Sequence, residues 1–442
     1  MEVQQIVKKS FENMQAATDM FAAKRAVYDA CLHFSIEGAV NPKLCTRLPV
    51  RVLLLCNPCH GLGDVVFARK IQRYVVEWYG VVPDIATTAP ELFAMIGHDA
   101  KTSLFVLSSS RGKQCRRFAR LSATPEIGKY DIILVAPLSQ DHDVSFADVN
   151  ALVGCSSPSN TYFFSEYNDR LSKNFDVHTG IGGKRDGLLF TSDETSKADI
   201  TPFRLGVYAL VYIAEGITNA ELCFLRFLQM ITEKYQGDLD TVVCPSWVAN
   251  IPLRKFQAFA KMHSISINTR RHVTGELVLR CDVFPVSARV MRSLMRFSVP
   301  DILLTGDQSI TDALSCCAST KNIFYQIAPW KESFARHLAK YIPNEFIRLK
   351  KTSCGTREAL FRRFDAQQFV LDWDFRVLGK SKLDAMVLAA ILTKYNAYIK
   401  AFVETTNTKG ARLKTVVNRI PAPQSTIARV PGARGRRVEN PT

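Results

Sequence analysis

Asp301–Tyr325 reads DILLTGDQSITDALSCCASTKNIFY: a strand, a turn, a helix and a second strand in close succession. Ile302, Leu303 and Leu304 form an apolar run that suits a buried strand, and the run stops at Gly306. Ser309 with Asp312 three residues later is a helix-start pattern, in which the hydroxyl takes an orphan backbone N–H and the acid returns the bond. Where a buried strand of an open α/β sheet feeds a helix, the helix N-terminus sits at the strand's carboxyl end with unpaired N–H groups and a positive dipole end. Such a place suits a phosphate or diphosphate. Asp307 beside it can accept bonds from ribose or sugar hydroxyls. The same residues also fit an ordinary βαβ unit in which Ser309 and Asp312 only cap a helix.

The pattern occurs a second time upstream. VRVLLLC at 50–56 is mostly apolar, as a strand covered on both faces should be. The turn NPCHGLGD follows, and then a helix, VVFARKIQRYVVEWYG, with Val66, Ile71, Tyr74, Val75 and Trp78 available for a buried face. Asp64 at the end of that turn faces the crevice where open α/β sheets bind ligands. There it can take a proton from an acceptor nucleophile, orient it, or simply cap the helix. Strand and helix signals alternate from there on: PDIATT, TSLFVLS, YDIILVAPL and NTYFFSEYN in the first half, TVVCPSW, ISINTRR, RCDVFP and NIFYQI in the second. A helical pattern is expected over 203–235, and another in SARVMRSLMRFS, with Arg289, Arg292 and Arg296 mostly opposite its apolar face. DVHTGIGGKRDGLLF, with four glycines, reads as a mobile loop.

The first strand, glycine turn and helix resemble the opening unit of GT-B glycosyltransferases, in particular heptosyltransferases, through Gly63, Asp64 and Val65. They are also similar to the start of the protein-arginine rhamnosyltransferases, where a Gly-Asp turn leads to a helix with an arginine, here Arg69. In both families the aspartate at this place is implicated in catalysis, which the resemblance carries to Asp64. Gly306, Asp307 and Ser309, followed by Phe324, Tyr325 and Gln326, resemble the donor motif and aromatic strand of the rhamnosyltransferases. Gln308 stands where that family has a second acid.

The expectation is an α/β chain of two Rossmann-like domains facing a cleft, GT-B-like. It runs as an N-terminal helical segment (1–49), an acceptor domain (50–215), a nucleotide-sugar domain (216–380), a helix (381–405) and a disordered basic tail (406–442). The resemblance implies a glycosyltransferase using a nucleotide-diphosphate sugar as co-substrate, with no cofactor or metal and an unknown glycan, lipid or protein acceptor. Asp64 is the catalytic candidate; Gly63, Gly306, Asp307, Gln308, Ser309, Tyr325, Gln326 and Ser246 are the donor-site candidates. A sugar-nucleotide epimerase of the same fold is the competing enzymatic reading, and a basic nucleic-acid-binding or structural protein with an inactive core is the competing non-enzymatic one.

Composition narrows these choices. A chain of 442 residues, 47% hydrophobic and 22% charged, can bury a large core, most simply as two domains. No run is long and apolar enough for a transmembrane helix, and the N-terminus lacks the apolar centre of a secretory signal, so a cytoplasmic protein is expected. The twelve cysteines are scattered, several within apolar runs, and suit a reducing compartment. Cys56-Asn57-Pro58-Cys59-His60 has the haem-attachment spacing and Asp141-His142-Asp143 a metal-ligand spacing, but neither has the surrounding pattern such a site needs. The formal charge of +16 is concentrated at the C-terminus, where residues 409–442 hold eight Lys or Arg against Glu439. A polyanion contact is expected there. RGKQCRRFAR at 111–120 reads as a solvated helix face.

Overall fold

The computed structural model describes residues 50–58, 62–97, 102–109, 121–123, 130–139, 142, 144–153, 160–191, 195–217, 220–235, 237–263, 267–268, 277–341, 347–351, 357–361 and 371–387, with single positions to 393. All lie in one compact unit, Thr46–Lys394. The expectations for the N-terminal segment, the 111–120 stretch, Cys59 and His60, Asp141 and Asp143, and the tail fall outside the described residues.

The first sheet begins with β1 (Val52–Cys56) and α1 (Leu62–Tyr79), followed by β2 (Asp84–Thr87), α2 (Pro90–Ile96), β3 (Leu104–Ser109), β4 (Leu121–Ala123), β5 (Ile132–Leu138), α3 (Phe146–Val153) and β6 (Thr161–Ser165). The strand order is β4-β3-β2-β1-β5-β6. Every pairing is parallel except β3 with β4. Every residue of β1 and β5 is buried, which is why both read as unbroken apolar runs rather than alternating ones. Leu53, Leu55, Ile133 and Val135 form the centre of this core.

The second sheet contains β7 (Tyr208–Tyr212), α4 (Ala220–Tyr235), β8 (Thr241–Val243), α5 (Leu253–His263), β9 (Ile267–Asn268), β10 (Leu277–Arg280), α6 (Ala288–Phe297), β11 (Asp301–Thr305), α7 (Asp307–Cys317), β12 (Asn322–Ile327), α8 (Glu332–Tyr341), β13 (Ile347–Lys351) and β14 (Arg357–Phe361). Its order is β13-β14-β12-β11-β7-β8-β10-β9, parallel from β12 to β9 and antiparallel at the other edge. The two mostly parallel sheets with their helices make the expected α/β architecture with two Rossmann-like sheets. In each, the strand order reverses direction beside the first strand, between β1 and β5 and between β7 and β11. Ligand crevices of open α/β sheets form at such switch points.

Three expectations change. The division placed between 215 and 216 moves upstream, because Tyr208–Tyr212 is a central strand of the second sheet rather than the start of a helix. A short, wholly apolar run has no period to separate strand from helix, and its neighbours β8 and β11 decide the matter. Secondly, the glycine-rich segment at 176–190 is packed. Gly180 and Gly187 pair with each other, and both have positive φ. A Cβ on Gly180 would lie 2.6 Å from Asn168 Oδ1, and one on Gly187 2.7 Å from Phe375 N, so these glycines allow close backbone approach rather than motion. Thirdly, Phe375, assigned to the second domain, returns to the first, where its ring stacks on Tyr74 at 5.9 Å; beside it, in the segment assigned to the helix 381–405, Asp384 Oδ1 accepts from Tyr79 Oη at 2.7 Å.

The two sheets are joined through side chains. Phe67 of α1, Tyr167 after β6, Phe334 of α8 and Tyr325 of β12 form a chain of ring contacts at 5.2, 5.9 and 6.3 Å. Lys331, just before α8, pairs with Glu166 and lies 2.8 Å from Asp307 Oδ2. Lys70 of α1 lies 2.7 Å from Asp312 Oδ1 of α7, both nearly sealed from water.

Candidate functional site

The N-termini of α1 and α7, each following the first or switch-point strand of its sheet, approach one another. A Cβ on Gly63 would sit 3.8 Å from Gln308 Cγ, in van der Waals contact with it. Around this approach lies a cavity of about 270 Å³. Leu62, Gly63 and Val66 form one wall, Gln308, Ser309 and Asp312 the facing one, and Ser246 lies at the end of β8. Tyr212 and Phe284, with ring centroids 5.3 Å apart, close the side. Four candidates from distant parts of the chain, Gly63, Ser246, Gln308 and Ser309, thus share one wall system.

The α7 end departs from the capping-box pattern. The helix begins at Asp307, directly after Gly306, whose φ of +76° is the left-handed turn that lets β11 pass into a helix so abruptly. Ser309 is therefore inside the first turn, half-buried, and lines the cavity instead of capping. Asp312 pairs with Lys70 of the other sheet rather than closing the box. Asp307 Oδ1 accepts from Gln308 N at 2.9 Å, and its other oxygen faces Lys331. Burial alone would lower the Lys331 ammonium's pKa, but Asp307 and then Glu166 outweigh it and hold it well above the usual lysine range.

Gln308 is 6% exposed, and its Oε1 has no hydrogen-bond partner. A buried amide oxygen without a donor costs on the order of 1–3 kcal/mol. The residue lines the cavity, while this oxygen itself is sealed behind the wall.

The remaining candidates are placed differently. Asp64 is half-buried in the first turn of α1, next to the cavity residue Gly63 but not itself in the wall. Tyr325 is fully buried with its phenol pushed up by burial and, secondarily, by the Asp307 charge. Gln326 is likewise buried and clamps the backbone of Ala214, whose N–H donates to Gln326 Oε1 at 3.0 Å. Neither side chain reaches the cavity wall. Trp247 donates from Nε1 to Ile213 O at 3.2 Å.

Lys70, Tyr212, Phe284 and Met291 were not singled out from sequence. Lys70 had a readable sign: it stands four residues from both Val66 and Tyr74, on the stripe of α1 that faces the core. The others had none, since nothing local marks which strand end meets which loop. Among the described residues no group of three His, Cys, Asp or Glu is placed to hold a metal ion, and no helix is long and apolar enough to cross a membrane.

No protein-family model matches the chain, and no curated protein matches it. Solved structures do. A structure of S. aureus MnaA with UDP is 11% identical, covering 62% of this chain and 78% of that one at a TM-score of 0.36. The E. coli heptosyltransferase WaaC with ADP-2-deoxy-2-fluoro heptose is 11% identical, covering 59% and 84% at 0.30. An α-glucosyltransferase with UDP and a 13-mer DNA containing an HMU base is 9% identical, covering 84% and 100% at 0.35. At these TM-scores the matches carry no functional argument.

Proposed function

We propose that this chain is a glycosyltransferase that moves a sugar from a nucleotide-diphosphate sugar to an acceptor hydroxyl or amide without a metal ion. The observation that carries the reading is the cavity at the N-terminus of α7 and the switch point of the second sheet, where Gly63, Ser246, Gln308 and Ser309 share one wall system. The first-turn N–H groups around Ser309 receive the diphosphate. The Tyr212–Phe284 pair, its rings tilted by 59°, and the prolines beside it offer an apolar wall against which a base or sugar can pack.

In the reaction, the acceptor oxygen or nitrogen forms a bond to the anomeric carbon as the bond to the nucleotide diphosphate breaks. The acceptor's proton passes to Asp64, and the leaving diphosphate's developing charge meets the positive end of α7. Gly306 serves by its left-handed φ, which lets β11 pass directly into α7. Ser246 contributes a hydroxyl at the far wall.

The test is release of nucleotide diphosphate and formation of glycosylated product from a panel of nucleotide sugars and acceptors. Asp64→Asn is expected to lower turnover by about 100-fold or more with donor binding retained. Near-normal turnover would reduce Asp64 to a residue of the helix start. A sugar-nucleotide epimerase uses a cavity of the same kind; isomerised donor without transfer in the same assay would favour it.

A further inference from the structure

The carboxyl ends of β8 and β10 carry a pair of thiols. The two strands run parallel with Arg280 beside Val243, so the next pair in register is Cys281 beside Cys244, and the Cys244 N–H donates to Arg280 O at 3.1 Å. Neighbouring strands lie about 4.8 Å apart, a spacing within the range a disulfide needs between its Cα atoms. The two Sγ atoms are 3.5 Å apart. Closing them to the ~2.05 Å of a disulfide takes a relative shift of about 1.5 Å.

The surroundings of the two sulfurs are unequal. Cys244 is buried, whereas Cys281 is partly exposed and open to a small reagent from solvent. The Cys281 thiol is shifted below the ordinary cysteine value because the Cys244 S–H donates to it; partial burial and the Asp282 charge oppose this, and the Ala249 N–H adds to it. Cys244 is held well above that value by the same bond and then by burial. Exposure together with thiolate character marks the sulfur that an oxidant meets first, and the protonated buried thiol beside it is the one that resolves the product.

Both thiols lead into the wall of the candidate site. Pro245 and Ser246 follow Cys244 directly, Phe284 and Pro285 stand three and four residues after Cys281, and all four line the cavity of about 270 Å³. Ala249, whose N–H meets the Cys281 sulfur, belongs to the helical turn Ser246–Asn250 that starts in that wall. Drawing the sulfurs together moves these two loops relative to each other. A thiolate that becomes a disulfide sulfur also loses its charge, and with it most of its hold on the Ala249 N–H.

We propose that Cys244 and Cys281 are a site of reversible oxidation, at which a hydroperoxide forms a disulfide that distorts the adjoining cavity and weakens its grip on the nucleotide donor. The effect on the donor rests on the glycosyltransferase reading above. The Cys281 thiolate attacks one peroxide oxygen, the O–O bond breaks, and the departing hydroxide takes up a proton to become water. The Cys244 sulfur then attacks Cys281 Sγ of the sulfenic acid so formed: the S–S bond forms, the S–O bond breaks, and the hydroxyl leaves with the Cys244 proton as a second water. Two electrons pass from the pair of sulfurs to the peroxide. A dithiol returns two electrons and two protons by thiol–disulfide exchange, so in a reducing compartment the bond lasts only while oxidant is in excess.

The test treats the full chain with hydrogen peroxide, blocks the remaining thiols by alkylation and maps the disulfides by mass spectrometry. Binding of UDP, ADP and GDP is measured by calorimetry before oxidation, after it, and after dithiothreitol. The expected result is a linked Cys244–Cys281 peptide and a nucleotide affinity lowered by about tenfold or more, ~1.4 kcal/mol, that dithiothreitol restores. Cys281→Ser should bind nucleotide within about twofold of the reduced wild type and ignore peroxide, and Cys244→Ala should ignore it too, with circular dichroism checking that both are folded. Nucleotide binding to the reduced chain with no linked peptide, or oxidation of Cys281 that stops at the sulfinic acid, overturns the proposal and leaves the transferase reading standing. A linked peptide with unchanged affinity overturns it as well, as does a peroxide effect on binding that persists in Cys281→Ser. If none of the three nucleotides binds even the reduced chain, the transferase reading fails and the proposed control of donor binding fails with it.

Discussion

Lys331→Met would remove the only cation the structure places between Glu166 of the first sheet and Asp307 of the second, among the described residues. The Lys331, Asp307 and Glu166 side chains are 14%, 12% and 23% exposed, so the group is largely but not wholly shielded. Breaking a buried ion pair by removing one partner costs about 3–5 kcal/mol, because the charge left behind is desolvated and unmatched. Here two carboxylates are left, and their partial exposure argues for the lower end, about 3 kcal/mol. At an unfolding entropy of about 2.1 cal/mol/K per residue, a loss of that size lowers Tm by roughly 4 °C for the unit Thr46–Lys394. Urea unfolding and calorimetric Tm of the full chain at pH 7 read it directly.

Two further measurements identify the cause. Adding Asp307→Asn and Glu166→Gln to Lys331→Met should recover most of the loss, since neutral amides are cheaper to bury than carboxylates. Because the Lys331 pKa is raised in the folded chain, its contribution is fully present below the lysine value of about 10.4 and is lost only as pH rises through the still higher folded value. The deficit of Lys331→Met relative to wild type should therefore stay flat between pH 6 and about 9. A deficit under about 1 kcal/mol, or one the neutralising changes leave untouched, would mean the group is solvated like a surface pair and does not hold the sheets together.

Ser309→Trp should weaken nucleoside diphosphate binding by about tenfold or more by filling the cavity at the α7 N-terminus, measured by calorimetry on folded protein; unchanged affinity would move the donor elsewhere. Dialysis against EDTA should leave transfer within about twofold of its starting rate if the diphosphate is met by the helix N-terminus alone, and loss restored by Mg²⁺ or Mn²⁺ would refute that. Burial lowers Lys321 to about 8, with Nζ bonded to the carbonyls of Ser298 and Val299. Between pH 8 and about 10.4 the unfolded chain binds more protons at this residue, so wild-type stability should rise relative to Lys321→Met by up to about 1.4 kcal/mol per pH unit. Parallel stability curves for the two proteins would contradict the shift.

What the sequence determined by itself is local and periodic. VLLLC and the ILL of DILLT are apolar because their strands are covered on both faces, and that pattern survives without knowing the neighbours. Gly306, with a φ of +76°, marks a left-handed turn, and it and Gly63 in the first turn of α1 point to the two strand ends that meet at the cavity. Tertiary structure decided the rest through pairings that no local signal carries. YALVY became a strand because β8 and β11 flank it. Asp312, patterned as a cap, pairs with Lys70 of the other sheet; Arg292, patterned for solvent, is buried. Tyr325 and Gln326, at the end of an apolar strand, could face either the crevice or the core. Side chains alternate across a sheet, and their surroundings are set by Phe334 and Ala214, which arrive from elsewhere in the chain. Periodicity reports which face of an element is apolar; which charge waits on the far side of an interface is a property of the assembled molecule.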